Sequence, residues 1–275
     1  MIGRTFGAPR ARAVLVHYHL FKNGGTSIER LLRDAFGEGW ASWDRPEPGA
    51  SIAGADMQAW IEAHPRIRAV SSHQLVPPLP RGDFAVVPIV FLREPMLRVR
   101  SAWRFEWQKQ LGLDEPKGSL AEYIESKFVH ARVSVIANFH VSRLANVDYE
   151  DARAVPGRDD EELVAAACRF VDTLPFVGLV DRFAESLALL GAASRERFPD
   201  LEVREYRENV LESGGGTIEE RIGRLRVDLG DELFGELERR NALDRRLYAH
   251  AGERFEAQLR GLRDEGCLPA VRHVA

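Results

Sequence analysis

Lysine is scarce in this 275-residue chain: of 38 basic residues only four are lysines, at positions 22, 109, 117 and 127. A lysine set among glycines therefore stands out from a background of arginine. Cysteine is scarcer still. Cys168 and Cys267 lie far apart in sequence, which offers no metal-ligand spacing and demands no oxidising compartment, so free thiols are expected. No apolar run approaches the roughly 20 residues that cross a bilayer. The first apolar run is broken by His17 and His19 and does not read as a signal sequence. A basic excess is also missing. At a net charge of -4 the chain is not a general nucleic-acid binder, because such proteins neutralise phosphates with a surplus of cations. Internal repeats, low-complexity tracts and heptads are absent as well. What remains, 45% apolar and 29% charged, is the composition of a soluble globular protein. We expect a cytoplasmic, single α/β domain spanning 1–275, with no transmembrane segment and no nucleic-acid partner.

The most informative stretch is Lys22-Asn23-Gly24-Gly25-Thr26-Ser27. It follows the apolar run 14–21 and precedes the amphipathic run 28–36, so it reads as strand, glycine loop and helix start. Two glycines let the backbone turn tightly and approach a ligand closely. The first amides of the helix are unpaired, and the helix dipole favours an anion there. Lys22 adds a full positive charge. In the nucleotide triphosphatase loop the lysine follows the glycines as G-K-[ST], whereas here it precedes them, so this is not that motif.

A second junction joins the apolar run 86–92 to a helix opened by Arg93-Glu94-Pro95, with Ser101 about two helical turns after Arg93. Where a magnesium-dependent phosphotransferase usually ends a strand in aspartate, this strand ends in a cation. Two cationic cradles and no evident metal carboxylate suit a ligand with two separated anionic ends, as in 3'-phosphoadenosine 5'-phosphosulfate (PAPS). No metal is expected.

The first loop resembles the P-K-T-G-G-T-S loop that binds the 5'-phosphosulfate in sulfotransferases. The segment Phe91-Leu92-Arg93-Glu94-Pro95 through Arg98, Ser101 and Trp103 resembles their R-x-P-x-x-R-x-x-S-x-[YW] element for the 3'-phosphate. The likeness is to the PAPS-dependent carbohydrate branch, the heparan or uronyl 2-O- and chondroitin-type enzymes, in a bacterial-type form. Three further stretches agree: Ser71-Ser72-His73, the run from Asn138 through His140 to Leu144, and the run from Phe176 through Asp181 to Phe183. A last one joins Asn241 and Asp244 to Tyr248, so the resemblance covers most of the chain. It departs at Phe21, where proline is usual, at Asn23, where threonine is usual, and at His140, where relatives often carry glutamine.

The resemblance implies a P-loop-like central parallel sheet flanked by helices, with a helical insertion and a helical C-terminal part. It implies transfer of a sulfuryl group from PAPS to a hydroxyl of a saccharide, glycan or glycolipid, leaving 3'-phosphoadenosine 5'-phosphate (PAP). Lys22 would bind the donor and stabilise its leaving oxygen, while Asn23, Gly24, Gly25, Thr26 and Ser27 hold the 5'-phosphate. Arg93 and Ser101 would clamp the 3'-phosphate, with Arg98 either assisting or facing solvent. His73 matches the catalytic histidine position as general base, and His140 and Arg143 would meet the acceptor. Each residue also has a plainer reading: a turn and helix cap for the glycines, a strand-end cation for Arg93, a backbone-bonded cap for His73, one polar helix face for His140 and Arg143. A phosphotransferase using ATP and magnesium, or a catalytically silent nucleotide- or glycan-binding protein, are the alternatives.

Along the chain we expect a cofactor-binding core over 13–112, a helical insertion on the acceptor side over 113–172, and a late strand with C-terminal helices over 173–275. Residues 37–54 read as an exposed loop that reaches over the site, with Trp40 and Trp43 offering stacking faces. Helical pattern after Arg98 is broken near 112–118 and 147–159. Gly214 to Gly216 read as a linker.

Overall fold

The computed structural model describes residues 12–107, 112, 118–129, 135–146, 160–206, 215–266 and 272–274. Cys267, Gly214 and most of the two expected breaks, 113–117 and 147–159, lie outside the described residues. The first strand, β1 (Ala13–Tyr18), has Val14, Leu15 and Val16 fully buried. An unbroken apolar run of this kind belongs to a parallel strand covered on both faces. Helix α1 (Gly25–Phe36) follows it and buries Ile28, Leu31 and Leu32, each contributing roughly 1.5–3 kcal/mol of apolar burial.

The order continues with β2 (Trp40–Ser42), α2 (Gly54–Ala63), β3 (Ala69–Ser72), β4 (Ala85–Leu92), α3 (Pro95–Phe105), α4 (Leu120–Val129), α5 (Phe139–Leu144) and α6 (Asp160–Thr173). Then come β5 (Gly178–Leu179), α7 (Phe183–Ser194), β6 (Arg204–Tyr206), α8 (Ile218–Arg240), α9 (Ala242–Asp264) and β7 (Arg272–Val274). Strands β2-β3-β1-β4-β5 form one five-stranded sheet in which every pairing is parallel, and β6 pairs with β7 separately. The protein is therefore an α/β structure with a parallel sheet flanked by helices, a helical stretch after β4 and a helical C-terminal part. One apolar cluster runs from β1 to α9. A second, smaller one gathers α3, α4 and α8 around Met96, Ile124, Leu225 and Phe234.

Residues 37–54 differ from the expected free loop. They contain β2 at the sheet edge, and the chain beyond it is tied to the segment after β3. Gln74 accepts from Arg45 N–H at 2.7 Å and donates to the carbonyls of Arg45 and Glu47, while Ile52 bridges Leu75. The tryptophans are engaged internally: Trp43 stacks on Trp60 with planes 13° apart, and Trp40 donates to Ser71 Oγ under the Arg33 guanidinium. The hydrophobic pattern of a three-residue edge strand is too short to announce itself in sequence.

Candidate functional site

Three loops leave neighbouring strands at one edge of the sheet. Tyr18 of β1 stands beside Ser72 of β3 on one side and Val90 of β4 on the other. The Lys22 loop, His73 and Arg93 thus emerge together at the carboxyl ends of three adjacent parallel strands. β1 lies where the chain, having placed β2 at the edge and β3 between β2 and β1, crosses to β4 on the opposite side. In open parallel sheets ligands gather outside the carboxyl ends at such a reversal.

The loop after β1 is shaped from within. Lys22 takes a left-handed conformation (φ 63°) and sets its Nζ 4.4 Å from the Phe105 ring centre. Gly24 is also left-handed (φ 75°), which glycine adopts without steric cost. Gly25 is required for another reason: a β-carbon there would sit 1.9 Å from His19 Cδ2. Helix α1 opens with no side-chain cap and no acidic residue in its first turn. Ser27 N–H turns back to the Gly24 carbonyl at 3.2 Å. Among the described residues the N–H groups of Gly24, Gly25 and Thr26 find no acceptor, so within the run from Gly24 to Ser27 only the Ser27 amide is engaged by the chain itself. Thr26 is exposed and Ser27 is buried.

Behind and beside this loop stand three histidines. His17 stacks on His19 (centroids 5.2 Å apart) and His19 on His73 (4.0 Å). Each ring is tethered through Nδ1: His17 to Ser71 Oγ at 3.1 Å, His19 to Glu29 at 3.0 Å, His73 to Asp44 at 2.8 Å. Burial lowers the pKa of His17 well below its ordinary value, and the neighbouring imidazoles lower it further. Burial likewise lowers that of His19, against the pull of Glu29. His17, His19 and Glu29 bring one potential ligand atom each within 4.8 Å of one another. The two Nδ1 atoms are already engaged by Ser71 and Glu29, and the two rings stack 20° from parallel. The grouping is a packed polar stack rather than a tetrahedral donor set. His73 is the exposed end of the stack, its side chain 49% exposed.

The junction after β4 is built differently. Arg93 is half-buried, and Ser101 lies half-buried two turns along α3. The next residue, Glu94, is turned inward: its carboxylate accepts from Leu97 N–H at 2.8 Å and caps α3. Burial pushes the Glu94 pKa up to about 7, opposed by the Leu97 N–H and reinforced by Asp181. The expected second anion cradle is therefore not a backbone one, since the helix's own carboxylate occupies its start; what is offered there is side chains. Arg98 does not face solvent. Its side chain is fully buried, donates to the Val135 carbonyl at 2.8 Å and lies over Phe139.

His140 and Asn23 also depart from the expected arrangement. Both are buried, at 0% and 2% exposure, and they meet each other. Asn23 Nδ2 donates to the Phe21 carbonyl at 2.9 Å, so its oxygen faces His140 Nε2 and accepts from it at 2.9 Å. His140 Nδ1 lies 3.3 Å from Asp244. Burial lowers the pKa of His140 despite that carboxylate. A side chain with no surface cannot touch an acceptor, so His140 braces the glycine loop from behind, and the Asn23 side chain shapes the loop rather than meeting a phosphate. Arg143 stays at the edge and donates to the His73 carbonyl at 3.1 Å.

No protein-family model matches the chain. It is similar to an uncharacterized protein of Archaeoglobus fulgidus, 29% identical over 242 residues, which cover 82% of this chain and 90% of that relative.

Several site residues escaped sequence reasoning. Asp44 lies in the segment read as a loop, and nothing local marks it. Asp244 accepts from the N–H groups of His140 and Val141, while Asn138 Oδ1 accepts from those of Leu243 and Asp244, so α5 and α9 cap each other reciprocally. Asp181 accepts from Glu94 N–H, Tyr248 O–H and Arg221, drawing α3, α8 and α9 together next to Arg93. The stretches containing these residues were singled out in the sequence; their partnerships, about a hundred residues apart for α5 and α9, have no sequence signature.

Proposed function

We propose that the protein is a PAPS-dependent sulfotransferase acting on a hydroxyl acceptor, and that its sheet is P-loop-like. The observation that carries this reading is the convergence of the Lys22 loop, His73 and Arg93 on one sheet edge, beside an uncapped helix start. The donor fits the chain's own chemistry. The unpaired amides of Gly24, Gly25 and Thr26 with Lys22 receive the 5'-phosphosulfate end, and the Arg93 and Ser101 side chains receive the 3'-phosphate. That PAPS supplies an activated sulfuryl group is the donor's contribution; positioning and charge stabilisation are the protein's. In the transfer the acceptor oxygen bonds to sulfur as the bond from sulfur to the bridging oxygen breaks. The acceptor proton passes to His73 Nε2, and Lys22 stabilises the charge that builds on the departing PAP. A saccharide, glycan or glycolipid acceptor and a cytoplasmic setting rest on the family resemblance. Among the described residues no helix is long and apolar enough to cross a membrane.

Calorimetric titration with PAP in EDTA, beside ATP with magnesium, tests the donor before any acceptor is known. We expect metal-independent PAP binding that Lys22→Ala and Arg93→Ala each weaken at least tenfold. Preference for magnesium ATP would replace this reading with a phosphotransferase. PAP binding without turnover across an acceptor screen with labelled sulfate would leave a silent binder.

A further inference from the structure

We infer that Asp44 is the positioning residue of the site, setting the tautomer of His73 and leaving its Nε2 as the proton acceptor. The inference rests on the proposed role of His73 as base. Asp44 lies just past β2, and its carboxylate is met by three donors. Oδ1 accepts from Ser72 Oγ at 2.8 Å and from the His73 backbone N–H at 2.8 Å, and Oδ2 faces His73 Nδ1 at 2.8 Å. Gln74 N–H donates to Ser72 Oγ, so the serine hydroxyl hydrogen is committed to Asp44. Burial pulls the Asp44 pKa upward, but the bonds from His73 and Ser72 more than offset it and hold the carboxyl below its ordinary value.

An ionised carboxylate only accepts, so His73 must present Nδ1–H to Oδ2 and carry its lone pair on Nε2. The ring is held from other sides too. It stacks on His19, itself gripped by Glu29, and its carbonyl is held by Arg143. The imidazole is thus fixed in tautomer and in plane, the two conditions a general base needs before it meets a hydroxyl. When His73 takes the acceptor proton on Nε2, the ring becomes an imidazolium whose Nδ1–H stays on Asp44, and the carboxylate balances the new charge without being protonated.

Asp44→Asn discriminates sharply because the His73 backbone N–H on Oδ1, which can only donate, chooses the amide's orientation. The asparagine oxygen stays on Ser72 and the His73 N–H, so its NH₂ turns to His73 Nδ1. The ring must then accept at Nδ1 and carry its hydrogen on Nε2, the tautomer that cannot take a proton from the acceptor. Nitrogen-15 NMR of the full chain at alkaline pH, where histidine is neutral, reads this directly and needs no substrate. We expect His73 protonated at Nδ1 in the wild type and at Nε2 in Asp44→Asn. Turnover should fall roughly 10²- to 10⁴-fold, the share a positioned base supplies, with PAP affinity unchanged. In a His73→Ala background Asp44→Asn should cost nothing more. A wild-type His73 protonated at Nε2 would overturn the inference even if the variant failed to fold, as would a tautomer that Asp44→Asn leaves unchanged. A tautomer switch in a protein that does not bind PAP would uphold the Asp44–His73 coupling and remove the sulfotransferase reading instead.

Discussion

Helix α1 opens on Gly24 with no side-chain cap and no acidic residue in its first turn, whereas α3, which follows the neighbouring strand, opens on Glu94, whose carboxylate accepts from Leu97 N–H. Both helices start at the same sheet edge, so the same dipole and the same kind of orphan amides stand at each. At α3 those amides are met by an internal carboxyl group, which contributes about 0.5–2 kcal/mol as a cap. At α1 they are left to whatever arrives. A helix start can serve as an anion site only where the chain withholds its own cap, and of these two starts α1 is the one that does. The brace behind each start differs as well. The α1 loop rests on the neutral bond between His140 and Asn23, and the α3 start on a pair of buried carboxyl groups, Glu94 and Asp181.

Removing the brace of α1 should have the largest effect. His140→Ala empties a fully buried site and strips Asn23 of its side-chain partner, which should destabilise the fold by about 3 kcal/mol in urea denaturation. It should also weaken PAP binding in the calorimeter. A stable variant with unaltered affinity would break the comparison, because the loop would then hold its shape without support.

Gly25→Ala attacks the open start from the front. Its methyl group would meet the His19 ring, which is gripped by Glu29 and stacked against His73, so the loop or the ring must move. We expect roughly 2 kcal/mol of lost stability, in the range for an overpacked site, with PAP affinity reduced about tenfold or more. Wild-type affinity in this variant would place the anion elsewhere.

The smallest effect is expected at the closed start, and it carries a sign. A glutamate whose pKa is raised from 4.5 to about 7 on folding holds a proton in the folded state that the unfolded chain has released. Stability from this group is therefore present below pH 4.5 and declines as pH rises to about 7. Glu94→Gln keeps an acceptor for Leu97 N–H and removes the ionisation. Thermal denaturation at pH 8 should show it more stable than wild type by about 1–2 kcal/mol, with the gain vanishing at pH 4. A loss of stability at pH 8 would mean that the carboxylate, not the acid, is the form the fold uses.

Much of the fold was legible in sequence. The apolar runs at 14–21 and 86–92 appear as β1 and β4, and the glycine loop and the Arg93 junction fall where strand meets helix, because burial on both faces and turn chemistry are local signals. The edge strand β2 was missed, since three residues carry no period. His140 was expected to meet the acceptor on the resemblance alone; its burial depends on Asn23 and Asp244, which arrive from distant parts of the chain.

By itself the sequence determined the long central strands and the helices that follow them, and that these junctions carry glycine, lysine or arginine, because those choices rest on the size, polarity and backbone freedom of each residue in turn. Only the tertiary structure decided that His73 faces Asp44, that His19 fills the space a side chain at Gly25 would need, and that α3 closes its own start while α1 does not. Those outcomes are set by parallel register, which places Ser72 and Val90 on either side of Tyr18 and brings together groups that no local pattern connects.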